Sequence, residues 1–317
     1  MRNVLITGGG STVGTLFCRL ALGRNAGNIR IIACDTAPFG LNLTSRYVDH
    51  YVQIPPYESA DYVAAIVETC VRFDVDYFVP HMEAEAIHVL RDGRIPSNLN
   101  VPSPMAQLEV YESFREKSSF AALAAQCGVP AIQVMSRGQI RADATYVVKP
   151  NVGFGGHGIR IVDGKEAARL QENAPDNLIQ ELVNGPEFTV EVFSFDGQIR
   201  SVVRERRATR GGICSVARFR DIQVLHDYVA EIARTFQLPV MSNFQFIQRE
   251  RTGQYLLSDV NLRVAAGTGL SQVAGWDGIG ALVTIAVQEG DPWSHFPKAH
   301  PSGEAFRAYE DSFFTFT

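Results

Sequence analysis

Apolar and polar positions follow two rhythms along the chain. In the first third, short apolar runs alternate with amphipathic stretches. Asn3 to Thr7 is an apolar run that ends in Gly8-Gly9-Gly10, after which Val13, Leu16, Phe17 and Leu20 recur at helical spacing. Ile29 to Cys34 is a second run, closed by Asp35. Tyr62, Val63, Ile66, Val67 and Cys70 predict an amphipathic helix, and Val75 to Pro80 a third buried strand. This strand–helix alternation predicts a Rossmann-like α/β unit, a parallel sheet with helices on its faces. Residues 93–104 are polar and proline-rich, which predicts a boundary near residue 100. A helix is expected over 115–127, with Phe120, Leu123, Ala124 and Cys127 on one face and Gly128 as its C-terminal cap.

The second rhythm is that of strands. Residues 145–149, 158–162, 178–183, 187–195 and 198–206 read as strands, several joined by glycine turns such as Asp196-Gly197, and they predict an antiparallel sheet. A helix is expected at 221–236, then strands at 243–249 and 254–260 around Arg251-Thr252-Gly253. The expected division is therefore 1–100 for the α/β unit and 101–317 for a larger α+β region.

Composition narrows the function classes. The chain has 317 residues, 46% hydrophobic and 20% charged, with a net charge of −5. A mildly acidic surface argues against general nucleic-acid binding. No apolar stretch approaches the ~20 residues that span a bilayer, so no membrane partner is expected. The five cysteines are widely spaced, without a CxxC pair, which suits small core residues and a reducing cytoplasm.

Several segments concentrate chemistry. The Gly8–Gly14 loop followed by Asp35 fits loosely a dinucleotide site, and an NAD(P)-dependent reductase is one reading of it. Residues 146–158 read Tyr-Val-Val-Lys-Pro-Asn-Val-Gly-Phe-Gly-Gly-His-Gly: a strand delivers Lys149, then a loop rich in glycine, including Gly155 and Gly156. Such a loop can lay its amides over phosphates while the lysine adds a point charge. Ile179 to Glu187 ends a strand at a Gly-Pro turn between two acids, Glu181 and Glu187. Asp259, Asn261 and Arg263 share one strand face, and Asn243 and Gln245 alternate with phenylalanines on a second strand. A solvated face would favour Lys, Glu and Thr; oxygen donors of this kind suit Mg²⁺ instead. Arg204, Arg206, Arg207 and Arg210 form a basic run fit to clamp phosphate or carboxylate. Glu83, just past the strand ending at Pro80, is a candidate for a substrate ammonium.

In this order, the segments resemble the ATP-grasp superfamily, in particular the branch of the carbamoyl-phosphate synthetase large subunit and the pyrrolysine-pathway ligase. The resemblance rests on Lys149-Pro150 through Gly158, Gln180 through Glu187, Ser242 through Phe246, and Asp259-Val260-Asn261-Leu262-Arg263. It implies a pre-ATP-grasp domain, then an ATP-grasp domain with a lid at about 140–183 and a catalytic part at about 184–300. It implies ATP and Mg²⁺, one ion or two, with Mn²⁺ as an admissible substitute. The implied reaction turns a carboxylate into an acyl phosphate and joins it to an amine; a nucleotide-binding sensor or scaffold is the other reading. Lys117 and Lys149 match the nucleotide-binding lysines, and Gly155 and Gly156 belong to the lid loop. Glu181, Leu182 and Val183 match the adenine hinge, and Glu187 the ribose acid. Gln245, Asp259 and Asn261 match the metal positions. Arg263 matches the arginine that steadies the acyl phosphate, with Arg204 and Arg206 from the basic run beside it. The family's usual Glu-x-Asn-Pro-Arg is here Asp259-Val260-Asn261-Leu262-Arg263, and His157 stands where many members carry serine. Small-molecule substrates are implied, and many relatives are homodimers.

Overall fold

The computed structural model describes residues 1–24, 27–95, 99–153, 158–174 and 176–308. The first rhythm becomes β1 (Arg2–Ile6), α1 (Thr12–Arg24), β2 (Ile29–Asp35), β3 (His50–Gln53), α2 (Tyr62–Arg72), β4 (Tyr77–Val79) and α3 (Glu83–Asp92). The four strands form a parallel sheet in the order β3-β2-β1-β4. Alternation in β1 divides its side chains between two cores. Leu5 packs with Tyr62, Ile66 and Phe78 under α2, while Val4 and Ile6 pack with Phe17 of α1 on the other side. The β1–α1 turn needs glycine at position 14, because a Cβ there would lie 2.3 Å from the Gly8 carbonyl oxygen.

The helix expected at 115–127 is shorter: a 3₁₀ turn at Lys117–Ser119 replaces its start, α5 (Phe120–Gln126) forms the rest, and a separate helix, α4 (Leu108–Arg115), precedes them. A small three-stranded sheet follows, made of β5 (Thr145–Pro150), β6 (Arg160–Asp163) and β7 (Asn177–Glu181) in the order β6-β5-β7. Between β6 and β7 lies α6 (Gly164–Asn173), whose start is capped by the Asp163 carboxylate accepting from the Glu166 amide.

The largest sheet has six strands: β8 (Glu187–Phe195), β9 (Gln198–Arg210), β10 (Ile213–Phe219), β11 (Met241–Gln248), β12 (Tyr255–Asn261) and β13 (Gly303–Phe306). Their order is β12-β11-β8-β9-β10-β13, antiparallel throughout. One face carries Phe188, Val190, Val203, Phe244 and Phe246, which pack against α7 (Gln223–Phe236) and α5. The other face is polar in its middle. The chain ends with α8 (Thr268–Val273) and α9 (Gly278–Val287) before β13. Leu282 and Ala286 of α9 share a core with Val4, Phe17 and Phe193, and so join the parallel sheet to the antiparallel one. No helix among the described residues is long and apolar enough to cross a membrane.

Candidate active site

Strand register gathers the polar residues. Gln245 pairs with Asp259 on one side and with Thr189 on the other, and Thr189 pairs with Arg204. Two residues along, Asn243 sits between Asn261 and Glu191. These rows form one wall of a cavity of about 540 Å³. The opposite wall comes from the three-stranded sheet, through Val147, Lys149, Ile159 and Ile161, and from Glu181, Leu182 and Val183 where β7 ends.

A register shift after Gln245 leaves Ser258 as an extra residue in β12. Its hydroxyl donates to the Gln245 carbonyl at 3.0 Å, and its own carbonyl accepts from Lys149 Nζ at 3.0 Å. The bulge thus gives the lysine of the small sheet an anchor on the large one. Lys149 is 6% exposed, and burial pushes its ammonium down to about 8; nearby Lys117 acts in the same direction and Asp259 opposes it. Lys117 Nζ donates to the Gly153 carbonyl at 2.5 Å and lies 3.9 Å from Asp259 Oδ1. That oxygen is buried and has no hydrogen-bond partner. Asp259 Oδ2 accepts only a long contact, 3.4 Å, from Asn261 Nδ2.

The arginines divide sharply. Arg204 is 1% exposed and pairs with Glu191, which is completely buried and also accepts from Thr268 Oγ1 at 2.8 Å and Ser271 Oγ at 3.0 Å. Its Nε and Nη1 have no partner. The guanidinium lies against Gly267, where a Cβ would come within 2.3 Å of Nη1. Arg206 donates to Glu187 Oε2 at 3.0 Å and to Gln245 Oε1 at 3.4 Å. Arg207 turns to Glu205 instead. Arg263 donates to Asn261 Oδ1 at 3.2 Å and to the Val264 carbonyl at 3.1 Å.

The residues matched to nucleotide, metal and acyl-phosphate positions that lie inside the described part of the chain all line this cavity: Lys117, Lys149, Glu181, Leu182, Val183, Glu187, Arg204, Arg206, Gln245, Asp259, Asn261 and Arg263. Gly155 and Gly156, with His157, lie outside the described residues. Lys117 reaches the cavity from the 3₁₀ turn, not from a helix interior. The Glu181 carboxylate points to Arg249, at 3.1 and 2.5 Å. Glu83 accepts from the Leu262 amide, so it clasps the arginine-bearing segment and is not open to a substrate ammonium; burial raises its pKa. Asp35 accepts from the amides of Gly10 at 2.7 Å and Ala37 at 3.0 Å, which engages both oxygens inside the loop. The sequence reading missed Thr189, Glu191, Thr268 and Ser271. The polar alternation Glu187, Thr189, Glu191 along β8 was the available signal.

The profile of an ATP-grasp domain matches residues 117–211. A second profile, described as ATP-grasp in the biosynthetic pathway with Ter operon, matches residues 173–305. The chain belongs to the ATP-grasp superfamily. Solved structures share the fold of this ATP-grasp chain. Rhizobium etli pyruvate carboxylase superposes with a TM-score of 0.76 at 16% identity, over 96% of this chain and 30% of that one. The chain thus spans less than a third of that carboxylase. The biotin carboxylase domain of Hydrogenobacter thermophilus 2-oxoglutarate carboxylase, in complex with MgADP, ADP and bicarbonate, gives 0.75 at 15% identity, over 94% and 71%. L-amino acid ligase from Bacillus licheniformis gives 0.70 at 16% identity, over 93% and 76%. No curated protein matches the sequence. Membership in the superfamily supports ATP-dependent, carboxylate-based ligation as the class of chemistry.

Proposed function

We propose that this ATP-grasp protein uses ATP to convert a small-molecule carboxylate into an acyl phosphate and joins it to an amine, releasing ADP and phosphate. One observation carries the reading: a buried, unpartnered carboxylate oxygen of Asp259 lies among oxygen donors and facing two lysines. Buried polar atoms left without partners in a cavity are most economically read as ligand contacts.

The donor set fits Mg²⁺. Asp259, Asn261 and Gln245 offer oxygens only, and the contacts that Asn261 and Gln245 now make to Arg263 and Arg206 are long, 3.2 and 3.4 Å. When bound, Mg²⁺ supplies charge neutralisation across the phosphates. The shorter reach of aspartate favours one ion; Mn²⁺ shares the oxygen preference.

The chain's own residues supply the rest. Ile132, Val147, Ile159, Ile161 and Val183 form apolar walls for a base, with backbone groups of Glu181 to Val183 at its edge and Glu187 placed for a ribose. Lys149 and Lys117 bring positive charge to the phosphates, so a carboxylate can approach the terminal one. Arg263 stands beside the metal donors, where an oxyanion on the transferred group would develop. Arg204, held in place by Glu191, offers its two unpaired N–H groups to the substrate carboxylate. The glycine-rich sequence from Gly153 to Gly158 suits a lid that keeps water from the acyl phosphate.

The test is ADP release with Mg-ATP across pools of amino acids, other carboxylates and bicarbonate, with hydroxylamine present. A hydroxamate formed with one pool is the expected result and names the acid. ATP binding without ADP formation in any pool would replace the proposal with a nucleotide sensor.

A further inference from the structure

The face of the six-stranded sheet turned away from the cavity is covered by α7, where Leu225, Val229 and Ile232 meet the sheet's phenylalanines and valines. At the start of α7 this packing turns polar. His226 is buried, at 7% exposure. Its Nδ1 lies 2.7 Å from Ser201 Oγ on β9, and its Nε2 has no hydrogen-bond partner. A buried ring nitrogen without a partner is costly unless a ligand takes it.

Two groups face that nitrogen. Asp221, in the connection from β10 to α7, places Oδ1 3.5 Å from it. His300, in the segment that leads into β13, stacks on His226 with ring centroids 4.1 Å apart, and its Nε2 is 4.0 Å from the same carboxylate oxygen. One donor atom from each of the three lies within 4.8 Å of the others. A tetrahedral zinc ion with ligands at about 2.0–2.1 Å sets neighbouring donors about 3.3 Å apart; His226 Nε2 and Asp221 Oδ1 stand at 3.5 Å, and a small rotation of the exposed His300 ring brings in the third donor.

We infer that Asp221, His226 and His300 form a zinc site on the back of the sheet, with the fourth position open to water. Ser201 serves as the outer partner: a hydroxyl that accepts from Nδ1–H leaves the Nε2 lone pair free for the ion. Burial disfavours the imidazolium and so keeps the ring in its ligating form. Two imidazoles and one carboxylate suit zinc, whereas Mg²⁺ prefers the all-oxygen donors of the cavity. The two sites occupy opposite faces of one sheet and divide the metals by donor type. Ion binding ties the segment carrying the edge strand β13 to the helix that backs the catalytic face.

The test uses untagged full-length protein saturated with Mg²⁺ and ATP, so that the cavity donors are occupied. Zn²⁺ is titrated against a chromophoric chelator, and Co²⁺ uptake is followed by visible absorption. The expected result is one equivalent of Zn²⁺, tetrahedral Co²⁺ bands and a higher thermal midpoint. Asp221 and His300 are solvent-facing, so Asp221→Asn and His300→Gln fold normally. Each is expected to weaken Zn²⁺ binding by about 10-fold or more, with ADP release under Mg²⁺ unchanged. Absence of stoichiometric uptake, or uptake unaltered by either substitution, overturns the inference.

Discussion

At the carboxyl ends of the parallel strands, the acids are satisfied from within the chain. Asp35 accepts two backbone amides. Glu85 accepts from Tyr62 and from the amides of His81 and Met82, and its burial raises its carboxyl to about 7. On the polar face of the antiparallel sheet, by contrast, Asp259 Oδ1 and Arg204 Nε and Nη1 are buried without partners. Both regions carry glycine-rich loops and acids that a sequence reader marks as chemistry. Among the acids compared, only Asp259 in the second region leaves a buried oxygen unused, and that separates a braced turn from a site built for a ligand.

Four substitutions or titrations press on this contrast. Glu191→Ala leaves the Arg204 guanidinium buried and uncompensated, so a loss of about 3–5 kcal/mol in unfolding free energy is expected in urea melts. A neutral outcome would show that the pair carries no structural weight. Asp259→Ala is expected to lower the rate of ADP release by about 10²–10³-fold while the melting curve stays put, because its carboxylate makes only long contacts, 3.9 Å to Lys117 and 3.4 Å to Asn261, before ligands arrive. Asp35→Ala reverses that pattern: about 1–3 kcal/mol of stability is lost from two freed amides, and kcat of the folded protein is retained. A collapse of kcat would move the glycine loop into the active site. The smallest effect is expected from pH. Lys149 is depressed from 10.5 to about 8, so between those values the unfolded chain still holds the proton that the folded chain has released. Its contribution to stability therefore rises with pH across that window, while its charge falls. The KM for ATP should climb about tenfold by one unit above that value, and Lys149→Arg should flatten the climb.

The alternation of Asp259, Asn261 and Arg263 was readable in sequence because a strand shows its two faces directly, and Val260 and Leu262 are indeed buried on the other side. Lys149 was readable because a lysine has no reason to sit in an apolar strand except charge. The depth of Arg204 was not readable: within the basic run Arg204 to Arg210 nothing marks it out, yet it is among the most buried side chains, since its partner Glu191 lies across the strand pair and not beside it in sequence. The helix α9 left no periodic signal, because Gly278 to Val283, Ala286 and Val287 are buried all round. The single helix expected at 115–127 failed at the 3₁₀ turn, where the Lys117 amide leaves helical geometry to donate to the Asn151 carbonyl at 2.9 Å.

The hydrogen bond from the Leu262 amide to Glu83 has a practical consequence for protein engineering. Leu262 lies between Asn261, a proposed metal donor, and Arg263, while Glu83 opens α3 of the first sheet. The amino-terminal half is therefore not an exchangeable cassette. A chimera that swaps in a foreign half to alter substrate choice must also bring an acid to the first turn of that helix, or the strand bearing Arg263 loses its footing.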